Sequence, residues 1–388
     1  MKLKILLIVF LMLLINTLSA FGNPVSNVDI EKQLLGMTST DSVNQFISKV
    51  NQELNGDIPL LNSSSIKEIA TKGLSLNWQD IWQTMTDSLF KEVSATIHLM
   101  GKLLFLAVLC AMLQNLQNSF EHSSISILAY SICFIFMTVI ALTAFYNAVT
   151  LATQTVGYMV GFMEALLPLL ISLLAGVGAL TSAALFTPLM LFIISSVSII
   201  VKDVVLPLLI LTATLDCVNY LSDKYSLSNL STLLKQASMI TLGLLMVVFV
   251  GIITIQGAAG SVADGLTLRT AKFATATFIP VVGKVLADTV ELVMGASLLI
   301  KNAVGIFGVI VVFMICLFPL LKLLALIVVI KSSGALIQPM GDEKMAKFLD
   351  SIANNLLLVF GSVLIVALMF FLSITMIVAV GSTAMMLR

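Results

Sequence analysis

The stretch NAVGIFGVIVVFMICLFPLLKLLALIVVIK, residues 302–331, decides what kind of protein this is. Its only lysine, arginine, aspartate or glutamate residues are Lys322 and the terminal Lys331. A helix crosses the hydrocarbon core of a bilayer in about 20 apolar residues. This run exceeds that length and contains Pro319, so it reads either as one kinked helix or as two shorter segments.

The rest of the chain agrees with a membrane reading. Apolar residues make up 59% and charged residues 10%, with a mean hydropathy of +1.10, whereas a soluble domain carries about 25% charged residues. Lysine plus arginine equals aspartate plus glutamate at 20 each, so no global field argues for nucleic acid or a polyanionic substrate. Further apolar runs near 97–117, 125–147, 151–180, 182–201, 204–220, 237–258 and 352–380 bring the expected number of spanning helices to about eight. The run 151–180 contains Pro168 and shares the ambiguity of the first stretch. The short motifs LPLL at 167–170, TPLM at 187–190, LPLL at 206–209 and FPLL at 318–321 resemble one another. No longer self-similarity accompanies them, and simple kinks are favoured over a repeat-built transporter.

The chain begins MKLKILLIVFLMLLINTLSAFG, with Lys2 and Lys4 before a short apolar core and small residues at Ala20 and Gly22. This predicts a signal peptide over 1–22; an uncleaved anchor would leave the sidedness of the next segment unchanged. Residues 23–95 are the polar part and are expected to form a small extracytoplasmic helical domain. Within it Val43, Phe46, Ile47 and Val50 have the spacing of an amphipathic helix. In NWQDIWQTMTDSLF, Trp78, Ile81, Trp82, Met85 and Leu89 share a face opposite Gln79, Asp80, Gln83 and Asp87. That pattern suits a helix lying along the membrane surface, or the core face of the small domain. Residues 96–388 form the polytopic domain. The fold class is all-α, a polytopic membrane helix bundle preceded by that small domain.

The segment 259–300 interrupts the apolar runs with charges, glycines and Pro280. Asp264 before Gly265 reads as a helix N-cap, with Arg269 and Lys272 on one side of the following turn. Lys284, Asp288 and Glu291 then fall on one helical face. If spans alternate from an outside N-terminus, the segment lands outside, against the positive-inside expectation for Arg269, Lys272 and Lys284. Either an upstream run is two spans, or the segment is held within a protein assembly; the glycines at 257, 260 and 265 favour the second. Glu164 and Lys322 are the deepest of the isolated charges, at a cost of about 2.5–3.5 kcal/mol each unless paired or hydrated. All eight residues are candidates for partner or channel contact. Gly157 and Gly161 form a GxxxG step, a match that chance also supplies in a chain with 22 glycines.

Catalytic patterns are lacking. Cys110, Cys133, Cys217 and Cys316 are isolated within apolar runs, and His98 and His122 are the only histidines, so neither metal ligation nor a hydrolase pattern is indicated. No cofactor and no enzymatic activity are expected.

The segments GSVADGLTLRTAKF, FIPVVGK and ASLLIKNAVGIFGV, with LQNLQNSFE at 113–121, resemble the stage III sporulation protein AE family of endospore-forming bacteria. The likeness covers nearly the whole chain. It implies a non-catalytic subunit of a channel, resembling a secretion apparatus, in the mother-cell-derived outer membrane around the forespore. Partners implied by the resemblance are a secretion-type ATPase, ring-forming and small membrane proteins of the same operon, and a forespore membrane protein. The competing reading is a stand-alone permease for a small solute, which would need a complete site at mid-membrane.

Overall fold

In the computed structural model, residues 40–54, 60, 78–119, 124–221, 227–278, 282–340 and 343–386 are described. The expected signal peptide over 1–22 and the polar residues up to 39 lie outside them. Among the described residues the regular structure is entirely helical. Apolar side chains exclude water without leaving polar backbone unpaired only if each segment satisfies its own N–H and C=O groups, and a helix does so.

Helix α1 (Asp41–Leu54) is short. Helices α2 (Trp78–Ser119) and α3 (Ser124–Gly176) follow. Next, α4 (Leu180–Ile199) continues through a π-helical segment (Ile200–Val205) into α5 (Leu206–Leu221) as one rod. The bundle closes with α6 (Ser228–Phe278), α7 (Val282–Ile337), a single 3₁₀ turn (Gln338–Met340) and α8 (Glu343–Met386). Six of these segments are long and apolar enough to cross a membrane, with the α4–α5 rod counting as one.

The expected eight spans therefore become six, because two pairs fuse. In the sequence, polar residues around Thr150 interrupt the apolar runs 125–147 and 151–180. In α3 those hydroxyls bond back to the preceding turn, Thr150 to the Tyr146 carbonyl at 3.0 Å, Thr153 to Val149 at 2.9 Å and Thr155 to Leu151 at 2.7 Å. A threonine that satisfies itself this way does not end a helix. The runs 182–201 and 204–220 meet at Lys202 and Asp203, which the π-helical segment absorbs within the rod. Pro168, Pro188 and Pro319 all lie inside helices. Trp78 opens α2, so the expected surface helix and the first span are one continuous helix; the side chains of Trp78, Ile81, Trp82 and Met85 lie outside the described ones.

Helices α7 and α8 run antiparallel, with Gly305 against Val378 and Gly334 against Leu349. Helix α3 ends in a Schellman turn in which Ala179 N–H donates to Leu174 O at 3.2 Å and Gly178 N–H to Ala175 O at 2.9 Å. Gly178 has φ 89°, the left-handed conformation that glycine adopts without Cβ strain. Helices α7 and α8 are the centre, with 67% and 72% of their apolar windows buried against 17% for α2. Helix α3 has 53 residues, which at 1.5 Å per residue is about 80 Å. The hydrocarbon core is about 30 Å thick, and even a tilt of about 40° leaves about 60 Å to accommodate. Helix α3 is thus longer than a single crossing requires.

Helix α1 lies on this bundle. Val43, Ile47 and Val50 are buried in the same apolar cluster as the long helices. Phe46 sits over Gly161 of α3, where an added Cβ would come within 2.5 Å of the ring, and its ring centroid is 6.4 Å from that of Phe162. The second glycine of the GxxxG step is therefore the seat of an aromatic side chain.

Candidate functional site

The charged stretch is more regular than its glycines suggested. Helix α6 runs unbroken through Gly260 and Gly265 to Phe278, and α7 begins at Val282. Residues 279–281, including Pro280, lie outside the described ones.

Asp264 does not cap its own helix. It lies within α6, is fully buried, and accepts hydrogen bonds from the first turn of α4: Thr181 N–H at 2.8 Å and Ser182 N–H at 3.2 and 3.3 Å. The first turn of a helix has N–H groups with no partner inside the helix and carries the positive end of its dipole. Ala179, at the cap position of α4, has no side chain that could accept from them. A carboxylate borrowed from 83 residues along the chain does so instead. The approach is close because residue 260, one turn earlier, is glycine: a Cβ there would collide with Ser182 Oγ. Gly257 similarly admits Met376 of α8.

The anchor fixes where the remaining charges begin. Arg269 and Lys272 follow Asp264 on α6, and Lys284, Asp288 and Glu291 occupy the first turns of α7; their side chains lie outside the described ones. Lys322 is elsewhere, about 57 Å along α7 from Lys284 at 1.5 Å per residue. Its Nζ is 4.0 Å from Glu92 Oε1 of α2, and both side chains are partly exposed. Glu164 is exposed on α3, two positions before Leu166, which packs at Gly308 in the middle of α7. The eight candidates therefore divide into one group around the α6–α7 junction and two isolated members.

Two buried polar centres were not singled out as sites from sequence. Lys301 is fully buried, and its Nζ donates to the Val378 carbonyl of α8 at 2.8 Å. It falls at the edge of the apolar run 302–331, where a lysine reads as a helix-end residue. Asp216 receives hydrogen bonds from Ser231, Lys235, Ser351 and Asn355. The signal available for it was an acid followed by a lysine beyond a short polar connection. Among the described residues, no three histidine, cysteine, aspartate or glutamate side chains converge as metal ligands would.

Comparison with known proteins gives a single consistent picture. Residues 62–381 match the family model described as stage III sporulation protein AE. The protein of that name from Bacillus subtilis (strain 168) is 38% identical over 349 residues, covering 90% of this chain and 88% of the relative. No solved structure matches.

Proposed function

The chain belongs to the stage III sporulation protein AE family, and from that membership we propose that it is a non-catalytic membrane subunit of a channel that links mother cell and forespore during sporulation. In this reading it sits in the mother-cell-derived outer forespore membrane, with its N-terminal part in the intermembrane space. Its partners are a secretion-type ATPase, ring-forming and small membrane proteins of the same operon, and a forespore membrane protein.

The observation that supports the reading best is the Asp264 anchor. Asp264 ties α6 to the start of α4 inside the bundle, so that Arg269, Lys272, Lys284, Asp288 and Glu291 emerge from a rigid base at the α6–α7 junction. Ionised groups in a membrane protein face partners, water or each other rather than lipid. A cluster held at the end of a braced helix pair is suited to meeting another subunit or lining an aqueous path.

The test is complementation of a Bacillus subtilis strain lacking the relative. Arg269→Ala and Arg269→Glu should insert at normal levels yet reduce heat-resistant spores by at least about tenfold, as loss of a contact worth about 1.4 kcal/mol would. Cysteines introduced at Thr270 and Lys284 should be labelled by an impermeant maleimide before complex assembly and protected after it. Normal spore counts from both Arg269 variants would refute the assembly role. Solute transport by the chain reconstituted alone would favour the permease instead.

A further inference from the structure

The α4–α5 rod is held at its other end by a different arrangement, in which the buried carboxylate belongs to the rod itself. Asp216 of α5 is 7% exposed, and side chains from two other helices converge on it. Ser231 of α6 donates to Oδ1. Oδ2 receives Ser351 Oγ of α8 at 2.6 Å, Asn355 Nδ2 of α8 at 2.9 Å and Lys235 Nζ of α6 at 3.1 Å. Ser231 and Asn355 are buried. Asn219 Oδ1 accepts Leu227 N–H at 2.9 Å and ties the start of α6 to α5.

Apart from the ammonium, this is a set of hard oxygen donors: one carboxylate, two hydroxyls and one carboxamide. Hydroxyls turn from donor to acceptor by rotation about one bond, and a half-turn of the carboxamide presents its oxygen in place of its nitrogen. The Asn355 Oδ1 is itself buried with no hydrogen-bond partner among the described residues, an acceptor enclosed beside the carboxylate and not committed elsewhere. Asp216 also lies in the last turns of α5, which ends at Leu221, where unpaired carbonyls and the helix dipole add negative potential. Oxygen ligands of this kind suit hard cations. With a single carboxylate the charge balance calls for one positive charge, which Lys235 supplies in this structure. The Lys235 side chain is 23% exposed, so its flexible stem has a route outward that would leave the pocket free for another cation.

We propose that the Asp216–Ser231–Ser351–Asn355 cluster is a monovalent-cation site, suited to sodium, in which the Lys235 ammonium and a free ion are mutually exclusive occupants. Lys235 acts as a tethered competitor, and its displacement loosens the junction of α5, α6 and α8. This goes beyond the subunit role and does not depend on it.

The experiment uses the full-length chain in lipid nanodiscs, with thermal unfolding followed in sodium chloride and in choline chloride of equal concentration. Lys235→Met removes the competitor and should melt below the wild type in choline. Sodium should then raise its midpoint saturably, by on the order of 5 °C. Asp216→Asn in the same background should abolish that rise. Superimposable sodium and choline curves for Lys235→Met, or a sodium response that survives Asp216→Asn, would overturn the proposal. Should Lys235→Met fail to fold, equilibrium dialysis of the wild type against radiolabelled sodium decides. Saturable uptake that is lost in Asp216→Asn supports the site, and the absence of saturable uptake sinks it.

Discussion

Replacing Asp264 by alanine should weaken the bundle at one identifiable joint. The substitution leaves two N–H groups of α4, those of Thr181 and Ser182, without the acceptor they have at 2.8 to 3.3 Å. An N-cap lost to alanine costs about 1 kcal/mol on average. Here the Ser182 donor is buried and the Thr181 donor partly so, and an unsatisfied buried donor costs about 1–3 kcal/mol; loss of the charge at the positive end of α4 adds up to about 2 kcal/mol. These contributions overlap, and a total of about 3 kcal/mol is the figure to test. For a chain of 388 residues that corresponds to a fall of about 4 °C in the unfolding midpoint. Asp264→Asn keeps an acceptor oxygen but not the charge, and should lose about half as much. Cys217 and Cys316 are buried thiols, so a dye that fluoresces on reacting with thiols reports the unfolding of nanodisc-embedded protein directly. Midpoints for Asp264→Ala and the wild type that agree within about 1 °C would mean that the bonds across α6 and α4 contribute nothing, and the anchor argument would fail.

Two other substitutions test separate parts of the packing. Gly161→Leu fills the seat of Phe46 and should release α1 from α3, making residues 41–54 sensitive to protease while the bundle stays folded; unchanged protection would show that α1 is held by something other than that seat. Lys301→Met keeps the length of the side chain and removes a charge whose hydrogen bond among the described residues is to the Val378 carbonyl. Burying an ammonium without a carboxylate is unfavourable, so this variant should melt at or above the wild-type midpoint. A fall of more than about 5 °C would show that the ammonium is needed where it is.

The class of protein was legible from residues 302–331 and from composition, because hydrocarbon admits little besides apolar helices. The spacing of Val43, Phe46, Ile47 and Val50 identified α1 and its inner face, and all but Phe46 are buried. The fused spans were not legible, since whether Thr150 or Lys202 ends a helix depends on whether the chain can satisfy those groups locally. Threonine does so with a carbonyl one turn back, and the Lys202–Asp203 pair is taken up by one widened turn. The partner of Asp264 could not be read either. An acid before glycine has a strong local interpretation as a cap, and only the fold reveals that the helix it caps begins at Leu180. Gly260, by contrast, was read for close packing, and its neighbour Ser182 belongs to the same joint.

The candidate spans among the described residues number six, and an even number of crossings returns the polypeptide from the end of α8 to the side on which α2 begins. Fusing two pairs of expected spans upstream of residue 259 removes two crossings and leaves the sidedness of the α6–α7 junction as strict alternation gave it. The beginning of α2, the end of α6 and the end of α8 then share one compartment, while the ends of α2, of the α4–α5 rod and of α7 share the other. A tag after α8 would therefore report from the same aqueous phase as the charged stretch, and an insertion directly after Leu221 from the opposite one.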